Sequence, residues 1–196
     1  ESKIEAIESR LNNKDKEFND IEIKKFEGKS IVWIDTSMMN GKDEDRLKGG
    51  SFCNYIENTI IKKLLECFKN ENVIKDLDIG IITGYRGQKE LIRKSVSNGG
   101  YDKISKKIDI NTLDAFQGRE NDIIIYSTVR TKNSIGFQKE KERVNVAFSR
   151  AKDLLIICGD MDFFYKFDDP DNKFVEIIDY IHEHEDECLI ISGGEL

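Results

Sequence analysis

The chain has 196 residues, 38% hydrophobic and 35% charged, with a net charge of −7, which suits one soluble α/β or α+β domain with a heavily charged surface. No apolar run approaches the roughly 20 residues of a membrane helix, and the opening "ESKIEAIESR" has neither the basic lead nor the apolar centre of a secretory signal. The acidic balance also counts against a simple electrostatic nucleic-acid binder.

Residues 1–27 are polar with a sparse apolar stripe (Ile4, Ile7, Leu11, Phe18) and read as a helical or flexible lead-in outside the core. The absence of an initiator Met suggests a stretch of a longer protein. Residues 28–196 carry the domain. Gly28-Lys29-Ser30 imitates the tail of a phosphate loop, but Ile23 stands where that loop needs a Gly, and a strand follows instead of a helix. That strand, "SIVWID" (30–35), ends in Asp35 and Thr36, without the Asp-Glu pair many nucleotide hydrolases use for magnesium.

The Gly-rich, charged stretch 38–50 is a surface loop, and residues 53–70 form a helix with Ile56, Ile60, Leu64 and Phe68 on one face. "DIGIIT" (78–83) is the next strand, and 87–97 the next helix. From Arg86 to Lys107 there are seven basic residues against two acidic ones, a pattern that fits a local basic face and a solvated helix equally well. Strands at 108–113, 122–129 and 153–159 and helices at 141–151 and 173–184 complete the pattern. The strands are nearly continuous Ile-rich runs, as in a parallel sheet buried on both faces. Their alternation with helices predicts a doubly wound α/β fold.

The four cysteines (Cys53, Cys67, Cys158, Cys188) form no C-x-x-C pair and read as small buried apolar residues in a reducing cytoplasm. "HEHEDE" (182–187) places His182 and His184 two apart, on different faces of a terminal helix, so no metal site is expected there.

Two polar clusters do not fit a bland loop. "TLDAFQGREND" (112–122) lies between two buried strands, and Arg143, Asn145, Ser149 and Arg150 lie in "ERVNVAFSRAKDLLIICGD". Open α/β sheets bind ligands beyond the carboxyl ends of their strands, which is where the segment from Thr112 to Glu120 is expected. Gly118 allows close backbone approach, Glu120 can accept from a ribose hydroxyl, and Arg150 can set a fork of donors on a phosphate. Arg143 and Arg150, seven apart, are expected on one helix face.

These stretches resemble motifs V and VI of superfamily 1B helicases, the group containing the nonsense-mediated-decay helicase and senataxin. "DIGIITGYRGQKELI" and "GGSFCNYIENTIIKKLL" resemble two further conserved stretches of that family. Gly84 replaces the family's usual Pro, and Ser149 its usual Thr. The resemblance implies the second RecA-like domain of such a motor, a P-loop NTPase-like, doubly wound, mostly parallel sheet with helices on both faces and no phosphate loop of its own. It implies Arg150 as the catalytic arginine finger and Gly118, Glu120 and Arg150 as nucleotide contacts. Gln117, Arg119 and Arg143 would be coupling residues, and Thr83, Tyr85 and Thr112 contacts to single-stranded DNA or RNA. ATP and Mg2+ would be held mainly by a first RecA-like domain of the same polypeptide, so this chain alone would be inactive. The same motifs would also serve an ATPase that remodels protein–nucleic-acid complexes without unwinding, or an interaction module that has lost catalysis.

Overall fold

The computed structural model describes residues 17–116 and 119–196. The Ile-rich runs become β1 (Ile31–Asp35), then, after a small hairpin of β2 (Asp45–Arg46) and β3 (Phe52–Cys53), β4 (Asp78–Thr83), β5 (Lys107–Thr112), β6 (Asn121–Ser127) and β7 (Ala151–Gly159). A further strand, β8 (Cys188–Ser192), lies beyond the five that the sequence predicts. Among the described residues all of these but the β2–β3 hairpin form one six-stranded sheet in the order β5-β4-β6-β7-β1-β8, and every pairing in it is parallel.

The helices are α1 (Tyr55–Lys69), α2 (Arg86–Gly99), α3 (Lys141–Phe148), α4 (Met161–Lys166) and α5 (Phe174–Glu183). Alternation along each strand sends side chains to opposite faces of the sheet, and each face meets its own helices. Val32, Ile34, Ile81, Ile125 and Ile156 pack with Ile60, Leu64 and Phe68 of α1 and Ile92 of α2. On the other face Trp33, Ile124, Tyr126 and Ile157 meet Phe148 of α3, Phe164 of α4 and Phe174 of α5. Trp33 lies edge-on to Phe174, with centroids 6.0 Å apart, and its indole N–H donates to the Gly159 carbonyl at 3.1 Å. This is the doubly wound α/β architecture expected of a RecA-like domain.

Three expectations change. Residues 1–16, with Ile4, Ile7 and Leu11, lie outside the described residues, but 17–27 are not a detached arm: Phe18, Ile23 and Phe26 are fully buried in the α1 face of the core. Their anchor is Glu71, a buried carboxylate that accepts the backbone N–H of Asn19 at 2.7 Å and that of Asp20. The loop 38–50 is not wholly irregular, since Asp45 and Arg46 pair with Cys53 and Phe52. The helix predicted over 141–151 stops at Phe148, with Ser149 at its C-cap, because Ala151 is already paired with Asn121 in the sheet.

Candidate functional site

At the carboxyl edge of the sheet Thr83 sits in register with both Thr112 and Ser127. The chain then turns through Gly84 and Tyr85 into α2, and a cleft of about 740 Å³ opens beside that turn. Its walls include Phe52, Tyr85, Arg86, Thr112, Phe137 and Arg143. Tyr85 meets Phe52 edge-on at 5.6 Å and Phe137 at 5.5 Å. The Phe137 ring is 52% exposed, with the Arg143 guanidinium 5.7 Å from its centroid. Arg143 also pairs with Glu140 at 2.6 Å and reaches Asp114, just beyond Thr112, at 3.8 Å. Half-exposed aromatic faces beside two guanidinium groups suit flat, anionic ligands.

Two of the three residues assigned to a nucleic-acid strand therefore line this cleft, and the third does not. Thr83 is fully buried, and its hydroxyl accepts the Tyr85 N–H at 3.4 Å, so it shapes the turn instead of facing the opening. Burial also raises the Tyr85 hydroxyl above the usual tyrosine range, so it stays neutral.

Behind the cleft lies a buried polar network. Glu57, fully buried on the first turn of α1, accepts from the Ser127 hydroxyl at 2.5 Å, the Thr128 hydroxyl at 3.1 Å and the Val129 N–H at 2.8 Å. Desolvation pushes its carboxyl up to about 8, against the lowering effect of those three donors. Asn54 caps α1 by accepting the Glu57 N–H at 3.0 Å. Next in the chain, Arg130 lies 4.2 Å over the Phe52 ring and pairs with buried Glu44 at 3.2 Å. Sequence reasoning gave no role to Phe52, Asn54, Glu57, Arg130 or Phe137. Asn54 and Glu57 do lie in "GGSFCNYIENTIIKKLL", a stretch that resembles the helicase family, and their spacing of three at a helix start puts both on one face.

Glu120 and Arg150 lie elsewhere. Each immediately precedes a strand, β6 and β7 respectively, and the Asn121 N–H donates to the Arg150 carbonyl at 2.9 Å. Both therefore sit at the amino edge, roughly 20 Å from the cleft along the seven residues of β6. Arg150 is not on the helix face that carries Arg143. It follows the end of α3, and its Nε donates to the Val146 carbonyl at 3.1 Å. Its two terminal nitrogens have no partner among the described residues. Glu120 is exposed.

The expectation that the whole of Thr112–Glu120 sits at the carboxyl edge is thus corrected. β5 and β6 run parallel on either side of β4, so the segment joining them starts at one edge and finishes at the other. Arg119 is fastened on the way, its Nη1 2.5 Å from Asp109 of β5. Gln117 and Gly118 lie outside the described residues. In the acidic C-terminal stretch, the His184 Nδ1 is 2.9 Å from the Tyr180 carbonyl and its ring stacks on Tyr180 at 4.0 Å.

Residues 1–162 match the protein-family model described as "AAA domain". The chain is 38% identical over 123 residues to the ATP-dependent helicase upf1 of Schizosaccharomyces pombe, covering 61% of this chain and 13% of that protein. It is 38% identical over 128 residues to Helicase SEN1 of Saccharomyces cerevisiae, covering 62% and 6%. It is 34% identical over 138 residues to the DNA polymerase alpha-associated DNA helicase A of the same yeast, covering 67% and 19%. The chain thus spans less than a fifth of the length of these relatives. Among solved structures, the C-terminal domain of a possible DNA helicase from a Lactobacillus species aligns with 74% of this chain and 87% of its own, at 12% identity and a TM-score of 0.43. No helix among the described residues is long and apolar enough to cross a membrane. The chain belongs to the AAA domain family and is a superfamily 1 helicase domain, similar to the nonsense-mediated-decay helicase and senataxin.

Proposed function

We propose that this chain is the C-terminal motor domain of an ATP-dependent helicase, with nucleotide at its amino edge and a single strand of nucleic acid at its carboxyl edge. The observation that carries this reading is the separation of the two residue sets. Glu120 and Arg150 neighbour each other at one edge, while Tyr85, Thr112 and Arg143 share the cleft at the other. At the amino edge, Arg150 fits phosphate oxygens and the Glu120 carboxylate fits ribose hydroxyls. Neither can hold a triphosphate, and the sequence offers no phosphate loop, so ATP and Mg2+ would be held by a partner RecA-like domain. When bound there, ATP supplies phosphoryl transfer to water. Arg150 would place a fixed positive charge against the developing negative charge, an effect worth about 10³–10⁵ in rate for arginine fingers.

In the cleft, Thr112 and Arg143 would hold the phosphate backbone, and the half-exposed ring of Phe137, backed by buried Tyr85, would offer a face to a base. Gln117 and Arg119, in the segment joining the two edges, would couple them.

The test uses the polypeptide that carries this chain together with a phosphate-loop domain. Arg150→Ala is expected to lower strand-stimulated ATP hydrolysis by about 10³ or more while strand affinity is kept. Arg143→Ala is expected to weaken strand binding and to reduce the slope of log affinity against log salt by about 1. Hydrolysis at the parent rate by the Arg150 variant, or magnesium-dependent turnover by this chain alone, would overturn the proposal.

A further inference from the structure

The chain leaves β6 through a strained turn. Val129 has φ 70°, a left-handed conformation that is a genuine outlier for a β-branched residue. The Arg130 N–H donates to the Thr128 carbonyl at 2.8 Å, closing a three-residue γ-turn about Val129 of the rare, positive-φ kind. Nothing local favours this, because "STVRT" holds no Gly or Asn and its composition favours continuing the strand.

What holds the turn comes from α1. The Val129 N–H donates to both oxygens of Glu57, at 2.8 and 3.0 Å. The Val129 carbonyl accepts from the Asn54 side-chain amide at 3.2 Å. Both backbone polar groups of the strained residue are thus gripped by two side chains three positions apart. Gln88 of α2 closes the network, donating to the Ser127 hydroxyl at 3.0 Å and to the Asn54 carbonyl at 3.2 Å. Outliers of this kind persist only where the surroundings over-determine them, and they gather at functional sites. Here the turn lays Arg130 over Phe52, the ring that Tyr85 meets edge-on in the wall of the cleft. A strand continued through Val129 would carry Arg130 in another direction.

We propose that Glu57 is a positioning residue for the cleft, clamping Val129 in its left-handed turn so that Arg130 braces the Phe52–Tyr85 wall. Glu57 touches no ligand in this arrangement, and its effect on strand binding runs through Val129 and Arg130. The proposal rests on the reading that the cleft takes a single strand, but the clamp itself is measurable without one.

The test compares Glu57→Ala, Glu57→Gln, Val129→Gly and the double variant Glu57→Ala/Val129→Gly in this chain. The first readout is the NMR shift of the Arg130 side-chain protons, which the Phe52 ring displaces upfield in the free protein. The second is affinity for an oligothymidylate of about a dozen nucleotides. In Glu57→Ala the Arg130 signals are expected to move back toward unstructured values and affinity to fall about tenfold. Glu57→Gln is expected to keep both, since its amide can accept from Val129 and donate to a hydroxyl. Val129→Gly in the Glu57→Ala background is expected to restore most of both, because Gly adopts φ 70° without strain. A residue that merely satisfies buried polar groups predicts no such rescue.

Undisplaced Arg130 signals in the parent chain, displaced signals kept in Glu57→Ala, or no rescue by Val129→Gly would each overturn the proposal. If Glu57→Ala does not fold, Asn54→Ala releases the carbonyl side of Val129. It is expected to shift the Arg130 signals the same way, and unchanged signals there overturn the proposal too. A parent chain with displaced Arg130 signals but no affinity for oligothymidylate refutes the strand reading and leaves the clamp decided by the first readout.

Discussion

Arg150 is half-buried and held at one nitrogen, its Nε donating to the Val146 carbonyl. An arginine anchored at Nε has lost part of its rotamer freedom before any ligand arrives, which reduces the ordering cost of binding a phosphate. Glu57 is the opposite case, a carboxyl fully removed from solvent and pushed up to about 8. The folded state therefore holds a proton that the unfolded chain gives up near its ordinary value of 4.5. That contribution to stability is complete below about 4.5 and is lost as pH rises toward 8, at up to ~1.4 kcal/mol per pH unit. Between pH 5.5 and 8 the urea midpoint of the parent chain should fall more steeply than that of Glu57→Gln, which has no proton to lose. Parallel curves for the two would show that Glu57 is ionised in the folded protein.

At the scale of elements, the connection from β5 to β6 is fastened by Phe116, which is fully buried on the sheet face opposite α1. It packs over Gly80 of β4, where an added Cβ would lie 2.7 Å from the Phe116 ring, 2.5 Å from Ile124 and 3.0 Å from the Asn121 side chain. Gly80→Ala should cost about 1–3 kcal/mol by overpacking, measured by urea denaturation, and should disturb the connection before the rest of the sheet. Much of this architecture is legible in the sequence. Ile-rich runs announce strands buried on both faces, and each of the five predicted strands lies within two residues of its place at either end. β8 escapes because "CLIIS" is short and follows an acidic stretch, and α4 because six residues show barely two turns. Helical spacing places Arg150 on α3 because it cannot show where a neighbouring strand claims the backbone. The contact of Glu57 with Val129 spans 72 residues, and no local pattern encodes it.

For the molecule as a whole, the proposed nucleotide and strand contacts fall at opposite edges of one parallel sheet. The same sheet order sets a condition on how the chain acquires its shape. Among the described residues β1 is the first strand of the sheet to be made, yet Ile31 pairs with Leu155 on one side and Cys188 on the other. Until those distant segments emerge, "IVWID" carries unpaired backbone and a buried-type Trp with nothing to cover them. Such non-local pairing must pay its loop-closure entropy before any contact repays it, which slows folding. A chain stopped at Arg150 should therefore show no cooperative thermal transition by circular dichroism and should self-associate. One extended through Ser192 should unfold in a single step. Synthesis of this domain thus passes through a long interval in which Ile31, Val32, Trp33 and Ile34 have neither neighbouring strand to pair with.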